Sequence, residues 1–366
     1  MQVDLFKPYR IGSLEVKNRF VRSATWDASA DETGAVTDAS IDIYNRLGQG
    51  GVGLIVTGFA FVTPLGQAMP GQYGAHSDDM IPGLSKLVQA AQRGGAKIAL
   101  QIVHAGIASS YLQHNKIPCQ AVSPVPELKR PHRDMSDNEI EEITSAFATA
   151  ALRAKNAGFD AVQLHGAHGY LMTQFLSPLR NHRSDRWGGN ADNRRRFHIE
   201  VIHKVRQALG PKFPLLIKFG VMDDAQDGVS LNEGLETARH MVVEGIDAME
   251  ISGSVGSPAV VANESVPEHP YHRERASAVK KAVGVPVMVV AGIRSMKLAL
   301  NIVDGGDADM ISMCRPFIRE PGLINRWQSG DREPAKCISC SKCFASTLKS
   351  KQIECAQEHR LRNKTV

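Results

Sequence analysis

The sequence is short of several things. Aromatic residues make up 6% of its 366 positions, and neither charge dominates, with 43 Lys and Arg against 38 Asp and Glu. That +5 balance is no signature of nucleic-acid binding. No apolar run reaches the ~18 residues of a membrane span, and the first ten residues lack the basic start and apolar stretch of a signal peptide. The expectation is therefore a protein of the cytoplasm. Cysteine is scarce and uneven. Cys119 and Cys314 stand alone, while Cys337, Cys340, Cys343 and Cys355 crowd the end. A secreted disulfide framework would spread its cysteines, so the clustered thiols point to a metal or redox site.

What is present is an ordinary globular composition, 43% hydrophobic with 32 Gly and 18 Pro. Short apolar runs occupy residues 19–24, 53–57, 97–103, 160–165, 214–219, 246–251, 285–290 and 308–312. Most are continuous rather than alternating, as strands covered on both faces of a parallel sheet are. Amphipathic stretches fit between them at 38–49, 78–93, 137–156, 193–209, 231–244, 272–282 and 295–303. Eight strand-helix units predict an α/β fold, a (β/α)8 TIM barrel whose site is built by the loops after the strands. A doubly wound sheet is the alternative, but no glycine fingerprint follows Thr25. The longest of these loops, residues 105–135, carries four Pro and two His and reads as a wall over a pocket. After Trp327 the composition turns to Lys, Ser and Cys. The reading is a barrel over residues 1–328 and a Cys-rich tail over 329–366.

Residues 162–178, VQLHGAHGYLMTQFLSP, end the fourth strand and put His165, His168 and Tyr170 at the barrel mouth. Imidazoles three apart could ligate a metal, but no carboxylate or further His accompanies them in this stretch. They could instead donate hydrogen bonds to a carbonyl oxygen while the phenol delivers a proton, or simply satisfy a polar loop.

With that motif, the segments LFKPYRIG (5–12), KNRF (17–20), QIVHAG (101–106), NHRSDRWGG (181–189), NRRRF (193–197) and RPFIREP (315–321) resemble the Old Yellow Enzyme family of FMN-dependent oxidoreductases, over residues 5–321. The cysteines after the barrel make the chain most similar to the 2,4-dienoyl-CoA reductase branch, without that branch's C-terminal FAD and NADPH domains. The resemblance implies that Ser23, Ala24 and Thr25 lie against the isoalloxazine with Gly58 at its edge. It further implies that Gln101 pairs with the pyrimidine ring, and that Lys218, where relatives usually have Arg, stands beside N1. Ser252, Gly253, Gly292, Cys314 and Arg315 would line the phosphate side, the usual phosphate location in such barrels.

Departures matter too. Trp26 stands where relatives often carry Thr, Cys or His, which argues against a covalent flavin, and Ile107 replaces a frequent Arg, leaving that wall less cationic. Arg194, Arg195 and Arg196 read as scaffold pairing. The tail motif CISCSKC (337–343), with eleven residues between Cys343 and Cys355, resembles the branch's iron-sulfur ligands but has one residue fewer between its second and third cysteines. Iron-sulfur, zinc and free thiols all stay open. The segment between Phe344 and Glu354 has few large apolar residues, so a metal is expected to be needed to order it.

The implied activity is ene reduction: NADH or NADPH reduces FMN, and an α,β-unsaturated carbonyl compound is then reduced, with His165 and His168 on its oxygen and Tyr170 supplying a proton to Cα. An amine-oxidising flavoprotein passing electrons to a partner protein is the alternative enzyme, and a flavin- or metal-binding module the non-enzymatic one. The natural substrate, the preferred nicotinamide and self-association are not fixed by the sequence.

Overall fold

The computed structural model describes residues 3–126, 128–257, 268–350 and 352–362. Residues 1–2 and 363–366, the outer ends of the expected barrel and tail, lie outside the described residues. Eight parallel strands form the barrel: β1 (Phe20–Arg22), β2 (Leu54–Val56), β3 (Lys97–Val103), β4 (Ala161–Gly166), β5 (Leu215–Gly220), β6 (Ala248–Ser252), β7 (Val287–Val290) and β8 (Met310–Met313). Each pairs with its neighbour, and β8 pairs with β1, so the sheet closes and leaves no edge among these strands.

Helices α1 (Asp38–Gln49), α2 (Ile81–Gln92), α3 (Asp137–Asn156), α4 (Ala191–Leu209), α5 (Leu231–Val243), α6 (Arg273–Ala282) and α7 (Met296–Asp304) follow strands β1 to β7 in turn and cover the barrel. Their starts are chemically marked. Thr37 opens α1 and Ser136 with Glu139 opens α3, each as a capping box that satisfies backbone N–H groups at the helix end. None of the helices among the described residues is long and apolar enough to cross a membrane.

The barrel interior is layered. Val21, Leu54, Val56, Ala99, Ala161, Leu216, Ala248, Met288 and Met310 form an apolar floor, sealed below by Ile11, Leu14 and Val16 of an N-terminal hairpin. Two residues further along the strands the inward positions turn polar. The register sets His165 level with Lys218 and Lys218 level with Glu250, while Gln163 faces Gln101. A strand period of two thus converts a few polar letters in apolar runs into one polar tier.

The tail is docked on the barrel. Helices α8 (Lys342–Ser350) and α9 (Ala356–Arg362) lie at the mouth. Arginines from the barrel's last loops hold it: Arg294 donates to the Cys337 carbonyl (3.3 Å), Arg315 to the Ser339 carbonyl (3.2 Å) and Ser341 Oγ (2.7 Å), and Arg319 pairs with Glu358 (2.9 Å). Residues 342–350 form α8, which packs on the barrel. Thr347 is buried, Ile353 packs on the main core, and Phe344 sits on Trp26 with ring centroids 5.4 Å apart.

Candidate active site

A cavity of about 570 Å³ opens at the C-terminal end of the strands, within the range of cofactor sites. Of the residues picked out from the sequence, Ser23, Ala24, Thr25, His168, Lys218, Ser252, Gly253, Gly292, Cys314, Arg315 and Cys343 line it. Gly58, Gln101, His165 and Tyr170 do not, yet three of the four are tied to it. Gln101 connects through the polar tier below, and His165 and Tyr170 through ring contacts with His168 and with each other. Gly58 instead gives its N–H to Tyr44 Oη (2.7 Å), beside a buried Asp27 that Tyr44 and Tyr73 share.

The floor of the cavity is Lys218, 2% exposed. Its ammonium donates to Ser23 Oγ (2.8 Å) and pairs with Glu250 (3.0 Å), a carboxylate with no exposed surface. Glu250 also accepts from Ser23 Oγ (2.7 Å), Ser312 Oγ (2.6 Å) and Gln163 Nε2 (3.0 Å). Burial works to raise its pKa, but Lys218 and the hydroxyls outweigh it and hold the group below the ordinary carboxylate value. Gln163 Oε1 accepts from Gln101 Nε2 (2.6 Å), which leaves Gln101 Oε1 buried without a partner among the described residues.

On the adjoining side stand the aromatic groups of the fourth loop. His165 and His168 meet edge to face at 5.1 Å, His165 and Tyr170 at 4.8 Å, and Phe59 packs on both His165 (6.0 Å) and Tyr170 (5.6 Å). Burial, then the positive charges of His168 and Lys218, drives His165 well below its usual range, and burial with Lys218 takes His168 down to about 3. Both imidazoles are therefore neutral at pH 7. His165 Nδ1 accepts the Ala167 N–H (3.4 Å), which leaves its own proton on Nε2, and His168 Nε2 shares a hydrogen bond with Ser252 Oγ (2.7 Å). Burial pushes the Tyr170 phenol up to about 12, so it keeps its proton.

The far wall suits an anion. Gly292 has φ +79°, and a Cβ there would meet the His269 carbonyl oxygen at 1.6 Å, so only glycine lets the backbone pass. Arg315 and the Ser339–Ser341 segment complete that side. Flat apolar walls, an orphaned amide oxygen, a buried cation and a guanidinium fit FMN, whose ring carries a polar edge and whose tail carries a phosphate. Trp26 lines the same cavity with its indole N–H on the Pro70 carbonyl (3.0 Å). The wall at Ile107 regains a cation from elsewhere, since Arg130 donates to the Ile107 carbonyl (3.0 Å).

Cys337, Cys340, Cys343 and Cys355 line one small cavity with Arg315 and Arg319. The Ser339 N–H points at Cys337 Sγ (3.4 Å), and Ser339 and Ser341 both take left-handed φ values, 58° and 56°. Burial raises the Cys337 thiol and takes Cys343 up to about 11. As they stand, no three His, Cys, Asp or Glu among the described residues are arranged to hold a metal ion. The arginines at the start of α4 are all engaged: Arg194 with Glu233 (2.7 Å), Arg195 with Asp192 (2.8 Å) and Arg196 with the Arg186 carbonyl (2.8 Å).

Sequence reading passed over Glu250, Gln163 and His272. His272 lines the cavity and is lowered to about 4 by burial. The available signal was a lone Glu and a lone Gln inside apolar strands.

The profile of the NADH:flavin oxidoreductase / NADH oxidase family matches residues 4–333. The chain is 35% identical to an NADH oxidase of Thermoanaerobacter brockii over 92% of its own length and 53% of that protein's. It is 33% identical to an NADPH dehydrogenase of Clostridium acetobutylicum over 87% of its own length and 93% of that protein's. Among solved structures, a 2-naphthoyl-CoA reductase in complex with 2-naphthoyl-CoA superimposes with a TM-score of 0.86 at 30% identity, covering 93% of this chain and 54% of the other. The chain thus spans about half the length of the first of these relatives.

Proposed function

The chain belongs to the NADH:flavin oxidoreductase / NADH oxidase family, and from that premise we propose that it holds FMN in the mouth cavity and uses NADH or NADPH to reduce the C=C bond of an α,β-unsaturated carbonyl compound. Bound there, FMN would supply the hydride chemistry, from nicotinamide to flavin and from flavin to the substrate's Cβ. Ser23, Ala24 and Thr25 would hold its ring, Gln101 and Lys218 its polar edge, and Gly292 and Arg315 its phosphate.

The observation that carries this reading is the pairing of two neutral imidazoles with a protonated phenol in one buried cluster. His165 offers its Nε2–H, and His168 its ring edge, to the carbonyl oxygen, so negative charge arriving there meets donors already in place. Tyr170 holds a proton at Oη across the physiological range and passes it to Cα. Phe59, packed on both rings, keeps water from this corner.

The test separates the two halves of turnover. Tyr170→Phe is expected to slow oxidation by an enone such as cyclohexenone by about a hundredfold or more, while reduction by NADH or NADPH stays near wild type. Stopped-flow absorbance measures each half. An equal loss in both, or a loss in neither, removes Tyr170 from the role.

The reading extends to the tail. The four thiols are assigned to one iron-sulfur cluster, on the support of their shared cavity and the backbone N–H directed at Cys337 Sγ. Zinc is the outcome that metal analysis would substitute.

A further inference from the structure

Glu250 lies in the centre of β6, fully buried, and does not line the cavity. Its influence reaches the cavity by two routes. The first is charge. Lys218 is the only Lys lining the cavity among the described residues, and its ammonium is 3.0 Å from the Glu250 carboxylate. In a dry interior such a pair presents a dipole in place of a full positive charge, and the field felt above it is correspondingly reduced.

The second route is hydrogen-bond direction. An ionised carboxylate only accepts, so Gln163 must turn its NH2 towards Glu250 (3.0 Å). Gln163 then shows its oxygen to Gln101, which must in turn present its own NH2 (2.6 Å). The Gln101 oxygen is thereby left facing away, buried and without a partner among the described residues. A carboxylate two residues removed in this relay thus decides that Gln101 can serve a bound ring as an acceptor. An orphaned buried acceptor is unfavourable, so it selects for a ligand that brings an N–H.

We propose that Glu250 is a positioning residue that sets the reduction potential of the bound flavin, by offsetting the charge of Lys218 and by fixing the direction of the Gln163–Gln101 amides. The proposal rests on the FMN reading above. Neutralising Glu250 leaves Lys218 uncompensated beside the ring and frees both amides to turn, so added electrons become easier to accept.

The experiment measures the midpoint potential of the FMN-loaded protein. Glu250→Gln is expected to shift it upward, whereas Glu250→Asp, which keeps the charge, shifts it by less than half as much. A packing defect would move both variants alike, so an equal shift in the two, or an unmoved or lowered potential in Glu250→Gln, overturns the proposal. Should Glu250→Gln not fold, Lys218→Met is compared with Lys218→Met/Glu250→Gln. The double variant is expected at the higher potential, and equal potentials overturn the proposal. Wild-type protein that neither retains FMN nor binds it when added would overturn the FMN reading and this proposal together. FMN binding with no response to Glu250 would overturn this proposal alone.

Discussion

The polar tier inside the barrel and the thiol-bearing tail across its mouth are held in opposite ways. In the tier, Lys218, Glu250 and Gln163 sit on strands whose register is fixed on both sides, Ser23 follows directly on β1, and the four satisfy one another within 3.0 Å. In the tail, side chains reaching from the barrel do the holding, chiefly Arg294, Arg315 and Arg319, while Phe344 and Leu348 remain 54% and 53% exposed. Neither ion of the tier can be removed without stranding the other, whereas a group in the tail can be removed with little consequence below it.

Acid should break the barrel that holds the tier first and most strongly. His104, His168 and His198 are buried neutral, with pKa values down to about 4, 3 and 3 against 6.5 in an unfolded chain. Unfolding therefore takes up protons below pH 6.5, and stability falls as the pH drops from 6.5 towards 3. Glu250, whose pKa lies below 4.5, adds stability that is present above that value and lost beneath it. The urea midpoint of the barrel is expected to fall steadily across that window, and a midpoint flat between pH 7 and 4.5 would contradict the assignment of neutral histidines.

Next in size is Lys218→Met, expected to cost about 3–5 kcal/mol because it leaves Glu250 buried and unpaired. Adding Glu250→Gln should recover much of that loss, and a double-mutant cycle by urea denaturation reads the coupling. Two independent losses that simply add would show that the pair is not coupled.

On the tail side, Cys340→Ser is expected to lose bound iron and to speed proteolysis between Cys337 and Cys355, leaving the barrel's urea midpoint unchanged. Iron and sulfide assay with limited proteolysis checks this. Zinc in place of iron would recast the tail as a structural clip. The smallest effect is expected from Phe344→Ala, about 0.5–1.5 kcal/mol for the lost ring pair with Trp26, visible as faster amide exchange confined to α8.

The strands were legible because apolar runs of this length, separated by capped amphipathic stretches, have few other solutions, and Lys97–Val103 and Asp137–Asn156 coincide with the sequence reading to the residue. His165, His168 and Tyr170 were legible because they share one short segment. Glu250 and Gln163 were not, since a run-based reading absorbs a single polar residue into its strand. Their meaning arises only when the closed barrel brings β4, β5 and β6 into register. The packing of the tail was hard to read for a related reason. Its composition promises little packing by itself, but its partners Trp26, Arg294 and Arg315 lie far away along the chain.

Trp26 has one more consequence. Trp187 and Trp327 are wholly buried, whereas Trp26 forms part of the cavity wall and meets the tail through Phe344. Its indole is therefore a built-in optical gauge of the mouth. A chromophore seated in the cavity should quench its fluorescence by energy transfer, and undocking of the tail should shift its emission towards the colour of a wetted indole. Occupancy and tail docking then become two separable signals from one native side chain, with no label attached.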